Sequence, residues 1–187
     1  MLDWSNPYRV VFYANVVLDG TAKLESTPER EKFNNVAGSA LFFRSHAFYQ
    51  LAQAFAVPYN TITASRDLGI PIRITSDVNM PTVRSTIEET YSKILTDLSE
   101  AARLLPIMPK VKTRPSKVAA YGLLARVYLS MEDYPLALAY ADSCLNLKSD
   151  LMDYNTLSAQ YYPIPMFNDE VIFSSICSLI RKIGFFL

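Results

Sequence analysis

Apolar positions recur every three or four residues along much of this chain, which predicts a mainly helical protein. The pattern is plainest in STIEETYSKILTDLSEAARLLP. There Ile87, Tyr91, Ile94, Leu98, Ala101 and Leu105 step by four, three, four, three and four. Thr86 followed by Glu89 forms a capping box at its start, and Pro106 and Pro109 end it. Upstream, residues 8–17 predict a first short helix ending near Asp19-Gly20, where glycine suits a left-handed cap. Thr27-Pro28-Glu29 predicts the next start, with Thr27 as N-cap and Pro28 at the first helical position. From there one long helix is expected to reach Phe55, with Ala37, Leu41, Arg44, Phe48, Leu51 and Phe55 on one face.

Residues 57–83 break the pattern. Three prolines, a glycine and short β-branched runs predict an extended, irregular excursion with at most a short strand at residues 72–75. Its length points to more than a connector, because long loops in compact domains are usually functional. Regularity returns at Ser116, which is expected to cap a helix over residues 117–131. Asp133 is expected to cap another over residues 134–147. The first of this pair carries Arg126 as its one charge between Val118 and Leu129, which predicts burial on most sides. A turn at Glu132-Asp133 makes the pair an antiparallel hairpin, closest where side chains are small, at Ala125 and Ala137. KVKTRP, ahead of this hairpin, reads as a wet basic linker. After Asp150 comes a tyrosine-rich loop, and DEVIFSSI (residues 169–176) carries a strand-like apolar run.

Tyr121, Leu124, Ala125, Tyr128 and Ala137 stand at the offsets of a tetratricopeptide (TPR) repeat, a two-helix unit of about 34 residues. Ser149 replaces the closing proline, so the copy is degenerate. A second pairing is expected between residues 43–55 and residues 87–105, with the excursion inserted between them. The predicted fold is therefore mainly all-α: TPR-like antiparallel helix hairpins, the clear one at 116–147, with a long loop insertion at 57–83.

Composition narrows the function classes. The 187 residues, half of them apolar, suit one domain or one and a fraction. Eighteen basic and eighteen acidic residues leave no net charge, and with it no electrostatic case for nucleic acid. Cys144 and Cys177 match no metal or redox spacing and read as small buried apolar residues. The start, Met1-Leu2-Asp3-Trp4-Ser5, lacks the pattern of a secretory signal. No stretch reaches the roughly 18 uninterrupted apolar residues of a membrane span. Five glycines leave no phosphate-cradling loop, and no H-E-x-x-H, G-x-S-x-G or paired-cysteine motif occurs, so neither a catalytic constellation nor a cofactor or metal site is expected. His46, mid-helix, reads as a packed or surface histidine. Arg44, flanked by Phe43, reads as an internal ion-pair residue with Asp97 as its candidate partner.

Several blocks, in order, resemble the SusD/RagB family of outer-membrane nutrient-binding lipoproteins. YRVVFYANVVLDG is similar to the family's early helix through Tyr8, Ala14 and Asn15. GSALFFRSHAFYQLAQAF resembles its L-R-A-x-x-Y-x-x-L-x-x-x-F helix through Phe43, Arg44, Ser45, Phe48 or Tyr49, Leu51 and Phe55. LGIPIRIT resembles its Gly-x-Pro segment through Gly69, Pro71 and Ile72. Glu89, Tyr91, Ile94, Asp97, Leu98, Ala101, Leu105 and Pro106 follow its E-x-Y-x-x-I-x-x-D-L-x-x-A…L-P block. PSKVAAYGLLARVYLSMEDYPLALAYAD matches its TPR block, and NDEVIFS the short segment after it. The resemblance implies a non-enzymatic binder of a glycan or other nutrient, facing outward on the outer membrane of a Bacteroidetes-type cell. It also implies a TonB-dependent transporter of the SusC kind as partner and a lipid anchor lying outside this chain. Family members are longer, so residues 1–187 are expected to form a single incomplete SusD-like helical domain, either a truncated or frameshifted product or part of a larger protein. A slightly positive mean hydropathy fits surface that further chain or a partner would cover.

Glycan binders lay aromatic rings against sugar faces and bond the hydroxyls with amides, carboxylates and arginines, and loops make such groups reachable. Tyr59 and Asn60 on the excursion, and Tyr154, Asn155, Tyr161 and Tyr162 on the late loop, fit that description. Trp4 is the single tryptophan. The expected binding set is Trp4, Tyr59, Asn60 and Tyr161; the competing reading is that such rings pack beneath loops. No ligand residue carries over from the family, because the matching blocks are structural helices. The alternative function is a generic TPR protein-protein interaction scaffold, which leaves the 57–83 excursion unexplained. A glycosidase comes third, since it needs two acids on facing loops.

Overall fold

The computed structural model describes residues 2–23, 30–157 and 164–175. Five helices stand in the described chain: α1 Leu2–Ala22, α2 Arg30–Phe55, α3 Ile87–Leu104, α4 Lys117–Ser130 and α5 Tyr134–Leu147. Two short strands, β1 Leu68–Pro71 and β2 Arg84–Thr86, pair antiparallel within the excursion. The fold is the expected all-α stack with a loop insertion.

Each helix runs antiparallel to the next. Trp4 meets Phe55 while Asn15 meets Arg44, so α1 and α2 are opposed. Gln53 bonds Tyr91 and Arg44 bonds Asp97, which opposes α2 to α3 and forms the second pairing that the amphipathic runs predict. The α4–α5 hairpin turns at Glu132, whose φ of 61° is left-handed. Asp133 caps α5 by accepting from Leu136 N, and Ser116 caps α4 through Ala119 N. Across the hairpin, Tyr140 stacks on Tyr128 with centroids 5.4 Å apart and leans on Tyr121 at 5.9 Å. The tyrosines thus fill the space beside small residues. Ala137 is buried whereas Ala125 is half-buried, and a Cβ added at Gly122 would stand 3.6 Å from Sγ of the buried Cys144.

The core is built from the faces the periodicity marks. Ile87, Tyr91, Ile94, Leu98, Ala101 and Leu105 are all buried, as are Leu41, Phe48 and Leu51 of α2 and Val118, Ala120, Leu124 and Val127 of α4. Phe55 departs from its face: it is exposed at the end of α2, where Trp4 meets it edge-on at 4.9 Å. The capping box at Thr86 and Glu89 is complete in both directions.

Other departures have physical causes. The first helix starts at Leu2 rather than at residue 8 and holds Pro7 inside; packing of Trp4 on Tyr8 and Phe55 extends it past the proline. At its other end Gly20 is no left-handed cap, because α1 continues to Ala22 and no described glycine has positive φ. The strand of the excursion lies at 68–71 instead of 72–75. Residues 73 and 75 turn their carbonyls to the Asn15 amide instead of to a neighbouring strand. The KVKTRP linker is partly anchored: Lys112 Nζ donates to the carbonyls of Phe167 and Asn168, and its own carbonyl accepts from Ser174 N. Described residues 169–175 form no strand: 169–170 turn and the rest is irregular, with Val171 N bonding Asn168 O and Phe173 packing on Phe42 and Phe43. Thr27, Pro28, Tyr161, Tyr162, Ile176 and Cys177 lie outside the described residues.

Candidate functional site

A buried polar chain links three helices to the excursion. Lys93 and Asp97 of α3 pair at 2.9 Å. Asp97 also receives a two-pronged bond from Arg44 of α2, Nε to Oδ2 at 2.8 Å and Nη2 to Oδ1 at 2.9 Å. The remaining Arg44 nitrogen donates to Asn15 Oδ1 of α1 at 2.8 Å. Asn15 then donates its amide to the carbonyls of Arg73 and Thr75, at 3.0 and 3.1 Å. Arg44, Asp97 and Asn15 are each nearly inaccessible to solvent. Buried charge needs such complete pairing, and here every partner is supplied. The expected Arg44–Asp97 pair is thus present, extended by Asn15 into a clamp on the excursion.

Residues 72–83 form a strap that this clamp holds against α1. Arg73 folds the strap on itself: Nη1 donates to Met80 O and Thr82 Oγ1, and Nη2 to Asp77 O. Tyr8 OH donates to Pro71 O at 2.8 Å. Burial pushes the Tyr8 hydroxyl far above its usual pKa, partly offset by the positive charges of Arg73 and Arg84. Asp19 accepts from both the hydroxyl and the amide of Ser76, and those bonds hold its carboxyl below the usual range.

Between α1 and the strap lies a cavity of roughly 260 Å³. Trp4, Tyr8, Val11, Phe12 and Asn15 form one wall; Pro71, Arg73, Thr75 and Thr82 form the other. Aromatic and aliphatic walls with a few convergent polar groups are the general makeup of small-molecule sites. A larger trough of about 810 Å³ runs along α1 and α2 between Val10, Tyr13, Val17, Val36 and Phe43, but it is a wide apolar helix face.

The expected binding residues fall in different places. Trp4 lines the α1–strap cavity. Tyr59 is half-buried, its ring edge-on to Tyr91 at 5.1 Å, in a small separate pocket with Gln53 and Ser130. Asn60 is exposed, but its side-chain oxygen accepts from Ile62 N and its carbonyl from Thr63 and Ala64, so it shapes the turn. Tyr154 is exposed and donates to Glu170 at 3.2 Å, and Asn155 bonds Asp153. Tyr161 lies outside the described residues. Tyr8, Phe12, Arg73, Thr75 and Thr82 are cavity residues absent from the expected set, the first two on α1 and the other three on the excursion itself. The signal for the aromatic ones is present: Trp4, Tyr8 and Phe12 are spaced four apart and share one face of α1.

Among the described residues no group of three or more His, Cys, Asp or Glu side chains could hold a metal ion, and no helix is long and apolar enough to cross a membrane. His46 stacks on Phe42, and burial, helped by Arg126, lowers its pKa; it is a packed histidine.

Residues 1–129 match the family model SusD-like, described as starch-binding and associating with the outer membrane. The chain belongs to the SusD-like family. SusD-like protein P2 of Formosa agariphila is 28% identical over 145 residues, 76% of this chain and 26% of that protein. A SusD superfamily protein from Bacteroides thetaiotaomicron superposes with a TM-score of 0.73 at 26% identity, covering 81% of this chain and 33% of that one. A SusD-like carbohydrate binding protein from Bacteroides vulgatus gives a TM-score of 0.69 at 25% identity, covering 82% and 33%. The chain therefore spans about a quarter to a third of the length of these SusD-like relatives.

Proposed function

We propose that this chain is the N-terminal helical part of a non-catalytic, glycan-binding SusD-like protein of the outer membrane, and that its α1–strap cavity contacts the glycan. The observation that carries the reading is the family match over residues 1–129, the stretch that builds this cavity. Aromatic rings on α1 opposite strap hydroxyls suit a sugar's apolar face and its hydroxyl rim. Trp4 is the principal contact proposed, with Tyr59, Asn60 and Tyr161 as further contacts along an extended chain. Delivery to a SusC-like TonB-dependent transporter is part of the proposal, supported by the family resemblance.

The test is a glycan array probed with the labelled protein, followed by analysis of the retained oligosaccharide. Saturable retention of at least one glycan class, with no new reducing ends after incubation, is the expected result. Failure to retain any glycan, or hydrolysis of the one retained, contradicts it.

A further inference from the structure

We infer that the α1–strap cavity takes an anionic saccharide, one bearing a carboxylate or a sulfate, with Arg73 as the group that reads the charge. The inference rests on the glycan-binding reading above and names the class of sugar within it.

Arg44 and Arg103 have carboxylate partners, Asp97 and Glu100. Arg73, which lines the cavity, and Arg84 have none among the described residues. Arg73 bonds Met80 O, Asp77 O and Thr82 Oγ1, and Arg84 bonds the carbonyls of Gly69 and Leu68. Neutral acceptors fix a guanidinium in place without cancelling its charge. Asp19, Asp77 and Asp67 of the same region bond Ser76, Asn79 and Thr63 rather than either guanidinium. Arg73 is the one arginine among the residues that line the cavity.

Hydrogen-bond supply points the same way. The carbonyls of Pro71, Arg73 and Thr75 already accept from Tyr8 and Asn15. Arg73 spends three of its five N–H donors on the strap, leaving two, one of them on Nε. The cavity is thus short of acceptors and supplied with a fixed cationic donor. A guanidinium suits planar oxyanions, and one already ordered by its own loop loses little further freedom on binding. Trp4 and Phe12 supply the apolar wall for the ring that carries the anion.

Trp4 is the single tryptophan, so its emission reports on this cavity directly. The protein is titrated with oligogalacturonate, with a sulfated carrageenan oligosaccharide and with neutral maltoheptaose, while Trp4 fluorescence is followed. At least one acidic probe is expected to bind at least about tenfold more tightly than the neutral one, an advantage that shrinks as salt rises. Which acidic probe responds identifies the anion. Thr82→Asp gives Arg73 a carboxylate where it already bonds a hydroxyl, so the strap stays closed while the charge is cancelled. That variant should lose the acidic preference and keep its thermal melt. Equal or tighter binding of maltoheptaose by the unaltered protein, or an undiminished preference in Thr82→Asp, overturns the inference and leaves the glycan-binding reading standing. A flat response to all three probes, joined to an empty glycan array, defeats both.

Discussion

Arg44→Met is expected to destabilise the protein by about 3–5 kcal/mol, read as a fall in thermal midpoint of roughly 6–20 °C by circular dichroism. The methionine fills much of the arginine's space but leaves Asp97 buried with Lys93 as its one remaining cation. It also strips Asn15 Oδ1 of its donor, and an orphaned buried acceptor adds its own cost. A double variant, Arg44→Met with Asp97→Leu, should recover a good part of the loss. The uncompensated carboxylate is then gone, and Lys93, partly exposed, can turn to water. If the single variant melts like the parent, the polar chain through α1, α2 and α3 is not what holds the strap.

The second large effect is expected at Gly69, where Ala should cost about 1–3 kcal/mol or more. A Cβ there would stand 2.2 Å from Thr90 Oγ1 and 2.6 Å from the carbonyl oxygen of Thr86. Thr90 could be trimmed, but the Thr86 carbonyl belongs to the backbone where β2 joins α3. Gly69→Ala should therefore remain destabilising in a Thr90→Ala background, because part of the clash persists. Gly122→Ala is the contrast. Its Cβ would meet Cys144 Sγ at an ordinary 3.6 Å, and alanine favours the helix by roughly 0.5–1 kcal/mol. Urea denaturation of the three variants checks the ordering; a Gly69→Ala midpoint equal to the parent's would show that β1 does not press on α3 as described.

The helices were legible because their information is local. A capping box, a four-three step and an N-cap serine each act within a turn or two, and α3, α4 and α5 begin and end close to where those signals place them. The Arg44–Asp97 pair was legible for a related reason: an arginine on an apolar helix face needs a carboxylate, and Asp97 lies on the partner helix. Elements fixed by distant contacts were not legible. The early start of α1 depends on Trp4 finding Phe55, and the absence of a strand at residues 72–75 depends on Asn15. The strap's closure depends on Arg73 reaching Met80 and Thr82, a pairing no periodicity encodes. The cavity was half legible. The four-residue spacing of Trp4, Tyr8 and Phe12 is visible in the chain, but only the folded strap supplies their opposite wall.

That strap gives the excursion its place in the account. A bare TPR hairpin needs nothing between α2 and α3, yet here residues 71–76 are bonded to α1 by Tyr8, Asn15 and Asp19. Three anchors from one helix fix a loop that would otherwise lose considerable entropy on ordering. The helix stack therefore serves as a rigid base, and the loop and the aromatic face of α1 together form the walls of the cavity.

The most direct measurement is a crystal structure of the protein with an oligosaccharide that the glycan array selects. The account predicts a sugar ring between α1 and the strap, against Trp4 or Phe12, with an oxygen within hydrogen-bond reach of Arg73 or Thr82. A sugar seated at the Tyr59–Asn60 turn or beside Tyr154, with the α1–strap cavity empty, would contradict it.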